Sequence, residues 1–584
     1  MTENVADVIV QTVINWGATV VFGMAGDGIN GLVEALRKRR EDIAFIQTGH
    51  EEAAALAACG HARLTGRLGV CLATAGPGGI HLLGGLYDAR FDGQPVLALT
   101  GMQYQELIGT HAQQDVALDR LFADVAAYSE RVMAPGQAES LAELACRTAV
   151  VLRCVAHLTV PIDLQTAPLS RAMRATRAAA RQVPPASAPV AAQPPETELI
   201  RAAELLNDGR RICILAGRGA LDAGAELAAI AARLAAPVTE ALLGKGILAD
   251  DHPHLVGPPG LLGTRPAQDA MEGCDTLLIV GSGFPYLEYY PRPGQARVVQ
   301  IDAHPGRIGL RVPVEIGLVG DAGAVLHALL PRLEHHADRQ FLDQAEAGMM
   351  EWREELENQA TRGDTPMKPQ LVLRELDRVL PDDAIVTVDN GATTTWAARY
   401  LRMRGTRRFA FPGTFAPMGC ALPYAIAGAI AHPGRITVCV VGDGALAMHL
   451  GELATVAAHD LDIKIVVVKN TMLAQIRWEQ TVFLGTPDYG STLPPIDFAA
   501  VARGCGLTAF SVARPEECAD ALAEAMATPG PVLIEALVDP HEPPLPPKAT
   551  LTHGAQMAEA MARGVSGRRR MALTLASDSV RQMV

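Results

Sequence analysis

The sequence predicts an α/β protein built from three doubly wound domains, each a parallel sheet with helices on both faces. Three observations carry that expectation. Short runs of Val, Ile, Leu and Ala alternate with helical stretches along most of the 584 residues, the pattern of parallel strands buried on both sides. The chain is longer than one core supports. And one stretch occurs twice: "GRLGVCLATAGPG" from Gly66 and "GRITVCVVGDG" from Gly434 share spacing and character, and 29 residues after each starting glycine another apolar run begins, "PVLALTG" and "IKIVVVKN". The first and third domains are therefore expected to be two copies of one fold.

Taken in order, "MTENVADVIVQTVINWG" has an acidic start and an amphipathic pattern, so it reads as the first helix of the fold and not as an export leader. "RQVPPASAPVAAQPPETE" (181–198) has little to pack and reads as an extended linker. A softer break falls between "VEIGLVGD" and "AIVTVDNG", across the charged helical run "EAGMMEWREELENQATRGDTPMKPQ". These breaks place domains at 1–180, 195–335 and 365–545, with a tail at 546–584. Residues 409–431 are uncharged and long enough to span a bilayer. However, Pro412, Pro417 and Pro423 with Gly413, Gly419 and Gly428 would break such a helix repeatedly, so a buried loop followed by a helix is expected.

Composition narrows the function classes. The net charge of −14 mixes 50 basic with 64 acidic residues and contains no long basic block, which argues against nucleic acid as a partner. The ten cysteines are scattered, with no pair at C-x-x-C spacing, as fits a reducing cytoplasm.

Chemistry concentrates where the repeat diverges. One copy has Ala75-Gly76-Pro77-Gly78 at its loop tip and the other Gly442-Asp443-Gly444, so the two tips are expected to hold different halves of one ligand. In an open parallel sheet, ligands bind beyond the carboxyl ends of the strands, which is where Asp443 and Asn470 fall. Flanking glycines let the backbone approach a diphosphate, while the Asp443 carboxylate and Asn470 carboxamide offer hard oxygens to a small divalent cation such as magnesium. Gly-Asp-Gly by itself is a common turn; strand, Gly-Asp-Gly, helix, strand, Asn is a far more specific order.

On those residues the chain resembles the thiamine-diphosphate enzymes of the acetolactate synthase and pyruvate oxidase group, whose cofactor signature is Gly-Asp-Gly followed about 27 residues later by Asn; here the step from Asp443 to Asn470 is 27. The resemblance covers nearly the whole chain. It implies that Asp443, Asn470 and the backbone carbonyl of Met472 hold Mg2+ on the cofactor diphosphate beside Gly442 and Gly444. In "TGHEEAAALAACGHARLTG" it assigns to Glu51 the carboxylate that shares a proton with the aminopyrimidine ring; without the resemblance, Glu51 reads as an acidic residue favoured at a helix start. It makes Met418, in "TFAPMGCALP", the apolar wedge under the cofactor, where the residue alone reads as core filling. Because the glutamate and the diphosphate site lie on different domains, the family completes each site across two subunits. A homodimer at minimum is implied, and a homotetramer is the expected assembly.

The middle domain separates the branches. Gly217-Arg218-Gly219 after a strand is weak evidence for a dinucleotide. "VGPPGLLG", "VGSGFPYLEYYP" and "VVQIDAHPGRIG" resemble the flavin-binding loops of the membrane-associated, quinone-reducing pyruvate dehydrogenases. That likeness implies FAD contacts from Gly260, Leu261, Gly281, Ser282, Gly283, Phe284, Pro285 and Asp302. The alternative is a degenerate nucleotide domain with a structural role. In the substrate pocket the pattern departs. Gln114 of "GTHAQQD" matches the family glutamine and Glu479 a family acid, but Gln113 and Gln475 stand where aromatic residues are usual, which implies a more polar and roomier pocket. The tail aligns in outline with the lipid-binding segment of that same branch. Arg568 to Arg570 and "MALTLASDSVRQMV" could form an interfacial helix, but the segment has no aromatic anchor and Ser577-Asp578-Ser579 interrupts it, so a subunit-capping or frayed terminus competes with peripheral contact at the inner membrane face.

The function implied is decarboxylation of a 2-keto acid, pyruvate foremost, with the electrons passed through FAD to quinone or oxygen. The alternative is an acetolactate-synthase-like carboligase with FAD structural or absent. A non-catalytic protein that has kept the fold is the third reading, and the joint presence of Glu51, Asp443 and Asn470 counts against it.

Overall fold

The computed structural model describes residues 3–169, 193–544, 546–548, 551–565, 567, 569 and 571. Most of the expected linker (181–192) and of the expected interfacial helix (Arg568, Arg570 and 572–584) lies outside them.

Three parallel sheets form the scaffold. The first holds β1 (Val20–Gly23), β2 (Ala44–Gln47), β3 (Gly69–Ala73), β4 (Val96–Met102), β5 (Tyr128–Arg131) and β6 (Val155–Pro161), in the order β2-β1-β3-β4-β6-β5. The second holds β7 (Ile212–Ala216), β8 (Val238–Glu240), β9 (Thr276–Val280), β10 (Arg297–Asp302) and β11 (Ile316–Val319), in the order β11-β10-β9-β7-β8. The third holds β12 (Ile385–Val388), β13 (Arg408–Ala410), β14 (Thr437–Gly442), β15 (Ile463–Lys469), β16 (Thr508–Val512) and β17 (Val532–Leu537), in the order β13-β12-β14-β15-β17-β16. Strand for strand, the third order repeats the first, and the duplicated sequence supplies the same two central strands in each: β3 and β4, β14 and β15. Those strands are buried along almost their whole length, which is why they read as continuous apolar runs without alternation.

One apolar core joins the first and third sheets. The helix Glu51–Thr65 starts on His50 as N-cap and ends at Gly66 (φ +71), a left-handed cap that favours glycine. Its buried alanines, Ala53 to Ala55 and Ala57 to Ala58, let it lie close against the helix Ala421–Ala431. A Cβ on Gly60 would stand 2.9 Å from the Tyr424 Cα. Polar links fix the same contact: Arg63 pairs with buried Asp92 at 2.7 Å and Asp88 at 3.5 Å, Tyr424 donates to Asp88, and the Thr414 N–H donates to Asp92 at 3.0 Å. Residues 409–431 thus fold as the end of β13, a loop and a buried helix, and among the described residues no helix is long and apolar enough to cross a membrane.

Near the C-terminus, the helix Leu551–Arg563 packs back on the third domain. Met557, Ala560 and Val565 bury Trp478 and Val482, and Gln556 donates to the Phe483 carbonyl at 2.9 Å.

Candidate active site

Two half-sites stand at the carboxyl ends of the two related sheets. In the third, Asp443 follows β14 and opens a short helix, while Asn470 follows β15. Oδ2 of Asp443 accepts the Thr471 N–H at 2.7 Å, and Oδ1 of Asn470 accepts the Met472 N–H at 2.9 Å. Thr471 takes a left-handed backbone (φ +56), costly for a β-branched residue; the chain turns sharply just where the oxygen donors gather. Burial pushes the Asp443 carboxyl above its usual range, and the Thr471 N–H only partly offsets this. Gly444 has no room for a side chain, since a Cβ would meet Leu493 at 2.9 Å and Leu473 at 3.2 Å, and the Met418 methyl lies 3.7 Å from the same point.

Met418 is held there by a residue that sequence reading missed. Asp389, wholly buried just beyond β12, accepts the N–H groups of Asn390 (2.8 Å), Gly419 (2.8 Å) and Ala421 (2.9 Å). Asn390 donates to the Ala416 carbonyl at 2.6 Å. Together they pin the loop that carries Met418. Burial pushes the Asp389 carboxyl up to about 6 despite the three donors. Gln475, on the helix Ala474–Trp478, donates to Glu479 at 3.2 Å, and its own shielded Oε1 has no partner among the described residues.

The first-domain half gathers around the other glycine loop. Glu51 is the first residue of its helix and only 7% exposed. Its Oε2 lies 3.0 Å from Nδ1 of His81, and its Oε1 stands 3.0 Å from where a Gly78 Cβ would be. A Cβ on Gly76 would crowd Gln114 at 2.8 Å, so these two glycines make room for Glu51 and Gln114 around one turn. The helix start is anchored from the third domain: Oε1 of Glu452 accepts the Gly49 N–H at 2.9 Å and the His50 N–H at 3.1 Å. Burial raises the Glu452 carboxyl.

A cavity of about 1720 Å³ connects the third-domain half to the middle domain. Asp443, Asn470, Met472, Met418, Gln475 and Glu479 line one part; Gly217 to Gly219, Leu261, Gly281 to Pro285 and Asp302 line the other. Gly260 (φ +88) stands just behind this wall, against the ring of Tyr289. Three arginines that the sequence reading left unassigned, Arg153, Arg218 and Arg307, share the lining, and none forms an ion pair among the described residues. Burial, then the neighbouring arginines, pushes Arg218 down to about 10. Guanidinium groups with no carboxylate at ion-pair distance among the described residues, set beside glycine turns, suit a diphosphate. Glu51 and Gln114 do not line this cavity.

Comparison with known proteins agrees with this architecture. The N-terminal, central and C-terminal domains of the thiamine pyrophosphate (thiamine diphosphate) enzymes match residues 3–121, 199–329 and 389–536. The chain is 39% identical to the protein YdaP of Bacillus subtilis over 539 residues (92% of this chain, 91% of the relative). It is 31% identical to pyruvate oxidase of Lactiplantibacillus plantarum over 538 residues (92% and 88%). To acetolactate synthase 1 of Zea mays it is 28% identical over 567 residues (93% and 86%). The chain belongs to the thiamine pyrophosphate enzyme family.

Proposed function

We propose that the protein decarboxylates a 2-keto acid, with pyruvate as the first substrate to test, and passes the electrons through FAD to a quinone or to oxygen. The observation that carries this reading is the continuity of one cavity from the Asp443 and Asn470 oxygens to the glycine turns of the middle domain and the arginines beside them, since an oxidase needs both cofactors within reach of each other. The pyruvate oxidase relative supports it.

The residues fit the cofactors. A buried carboxylate, a carboxamide oxygen and a backbone carbonyl form the hard-oxygen set that magnesium takes, and the raised Asp443 carboxyl gains from a cation that offsets its burial. Asp443, Asn470 and the Met472 carbonyl would hold Mg2+, and Gly442 and Gly444 would admit the diphosphate. The Gly281 to Pro285 turn, Gly260, Leu261 and Asp302, with the three arginines, would hold FAD. Bound thiamine diphosphate supplies the electron sink for loss of carbon dioxide. Met418 would press its flexible apolar side chain beneath the cofactor. Glu51 would reach the cofactor of a partner subunit, holding a proton between its free Oε1 and the pyrimidine ring. Gln114, Gln475 and Glu479 would orient the keto acid, in an assembly that is at least a homodimer and on this reading a homotetramer.

A carboligase reading, with FAD structural or absent, is favoured by one specific feature: Gln475 and Glu479 make the substrate wall polar and hydrogen-bonded, and acetolactate synthases are among the relatives. The two readings separate in one anaerobic experiment. The protein is loaded with thiamine diphosphate and magnesium, pyruvate is added, and the absorbance of bound flavin is followed. Bleaching is expected; flavin that stays oxidised while carbon dioxide is released gives the carboligase, and no carbon dioxide from any keto acid overturns both.

A further inference from the structure

We infer that His81 is a positioning residue for Glu51: it holds one carboxylate oxygen so that the other is left free for the cofactor. The inference rests on the reading of Glu51 given above and names a residue which that reading did not include.

The geometry has three parts. Nδ1 of His81 lies 3.0 Å from Oε2 of Glu51; with the proton on Nδ1, the tautomer we assign, the ring donates and the carboxylate oxygen accepts. The other oxygen, Oε1, faces the Gly78 turn at a distance that leaves no room for a side chain there. The His81 ring is itself held, because it stacks on the ring of His50 (centroids 4.6 Å apart, planes 26° apart). His50 in turn cannot rotate freely: its Nδ1 accepts the Glu52 N–H at 3.1 Å as the helix N-cap, and its own N–H is bound by Glu452. A chain of fixed groups therefore runs from Glu452 through His50 and His81 to Glu51. It assigns the two carboxylate oxygens different tasks, as ligand-orienting outer partners do elsewhere.

The test uses the full-length holoenzyme and needs no turnover. Exchange of the acidic thiazolium hydrogen of bound thiamine diphosphate for deuterium is timed by quenched-flow NMR without substrate, and cofactor affinity is measured by titration. Three variants are compared: His81→Phe keeps a ring for the stack and removes the donor, His81→Gln keeps a donor and loses the ring, and Glu51→Gln removes the carboxylate. We expect His81→Phe to slow exchange about tenfold or more, with cofactor affinity within about threefold of native, and His81→Gln to recover most of the loss. Native exchange in His81→Phe would overturn the inference, as would equal slowing in the Phe and Gln variants, which would mark a packing role. If Glu51→Gln itself exchanges at the native rate, the reading of Glu51 fails and the inference falls with it. The His81 side chain is 45% exposed in the single chain, so the variants are expected to fold, and their unfolding curves check this.

Discussion

The loop after β3 and the loop after β14 are the same place in two copies of one fold, with opposite chemistry. After β14 the acid belongs to the loop itself: Asp443 lies between two glycines, its carboxyl raised by burial and its Oδ2 on the Thr471 N–H. After β3 the loop carries no acid. Its glycines make room for a carboxylate from the start of the helix that precedes β3 and for a glutamine from a later loop. Duplication keeps the sheet, which is fixed by buried apolar strands, and leaves the loop tips free to diverge. One tip would serve a diphosphate and its metal, the other a proton.

The comparison breaks most sharply at Asp443. Asp443→Ala is expected to lower activity on the order of 10³-fold by removing a metal ligand, with calorimetric titration showing the loss in magnesium-dependent cofactor binding. The apo protein should respond in the opposite direction. A folded-state carboxyl raised above its ordinary value costs stability once pH exceeds that ordinary value. Asp443→Asn should therefore melt higher than native at pH 7 without cofactor, and the gap should close as pH falls toward about 4. Equal melting at both pH values would show that the loop does not strain its acid.

At the other tip, Glu51→Gln is expected to cost roughly 10² to 10⁴-fold in kcat with cofactor binding retained, the range for loss of a positioned proton carrier. Parallel loss of binding would mean that the two tips share one task. Gly78→Ala sharpens the same point, because the new methyl would stand 3.0 Å from Oε1 of Glu51 and 2.8 Å from Thr74. About a tenfold loss of kcat is expected, with the fold intact by circular dichroism.

The smallest effect concerns the loop that carries Met418. Asp389 has its folded carboxyl pushed up to about 6, so native stability relative to Asp389→Asn should fall by about 2–3 kcal/mol as pH rises from about 4 to about 6 and stay level above that. Urea unfolding of both proteins across that range measures it.

Much of this was legible in the sequence. Two apolar strands of the right length, each followed by its loop, repeat at the same spacing, and the Asp443 to Asn470 step follows from strand, helix and strand lengths that local pattern dictates. His81, Glu452 and Asp389 were not legible, because each acts through a partner far along the chain, and the arginines were not, because they gather from separate stretches of it. Glu452 bonds the His50 N–H across 402 residues, and Asp389 bonds Gly419 across 30. A lone His or Asp carries no mark of such a contact. The tail shows the same limit: only the structure reveals the helix Leu551–Arg563 and that Trp478 and Val482, beside Glu479, are what this region covers.

The central claim is that the two tips act on one ligand across a subunit boundary, and a hybrid dimer tests it most directly. Glu51→Gln and Asp443→Ala chains carrying different tags are co-expressed, and the mixed assembly is purified through both tags. If each site draws one tip from each chain, the hybrid dimer contains one site with both defects and one intact site, and about half of native activity per dimer returns although neither parent is active. A hybrid as inactive as its parents would place both tips of each site in one chain and contradict the account.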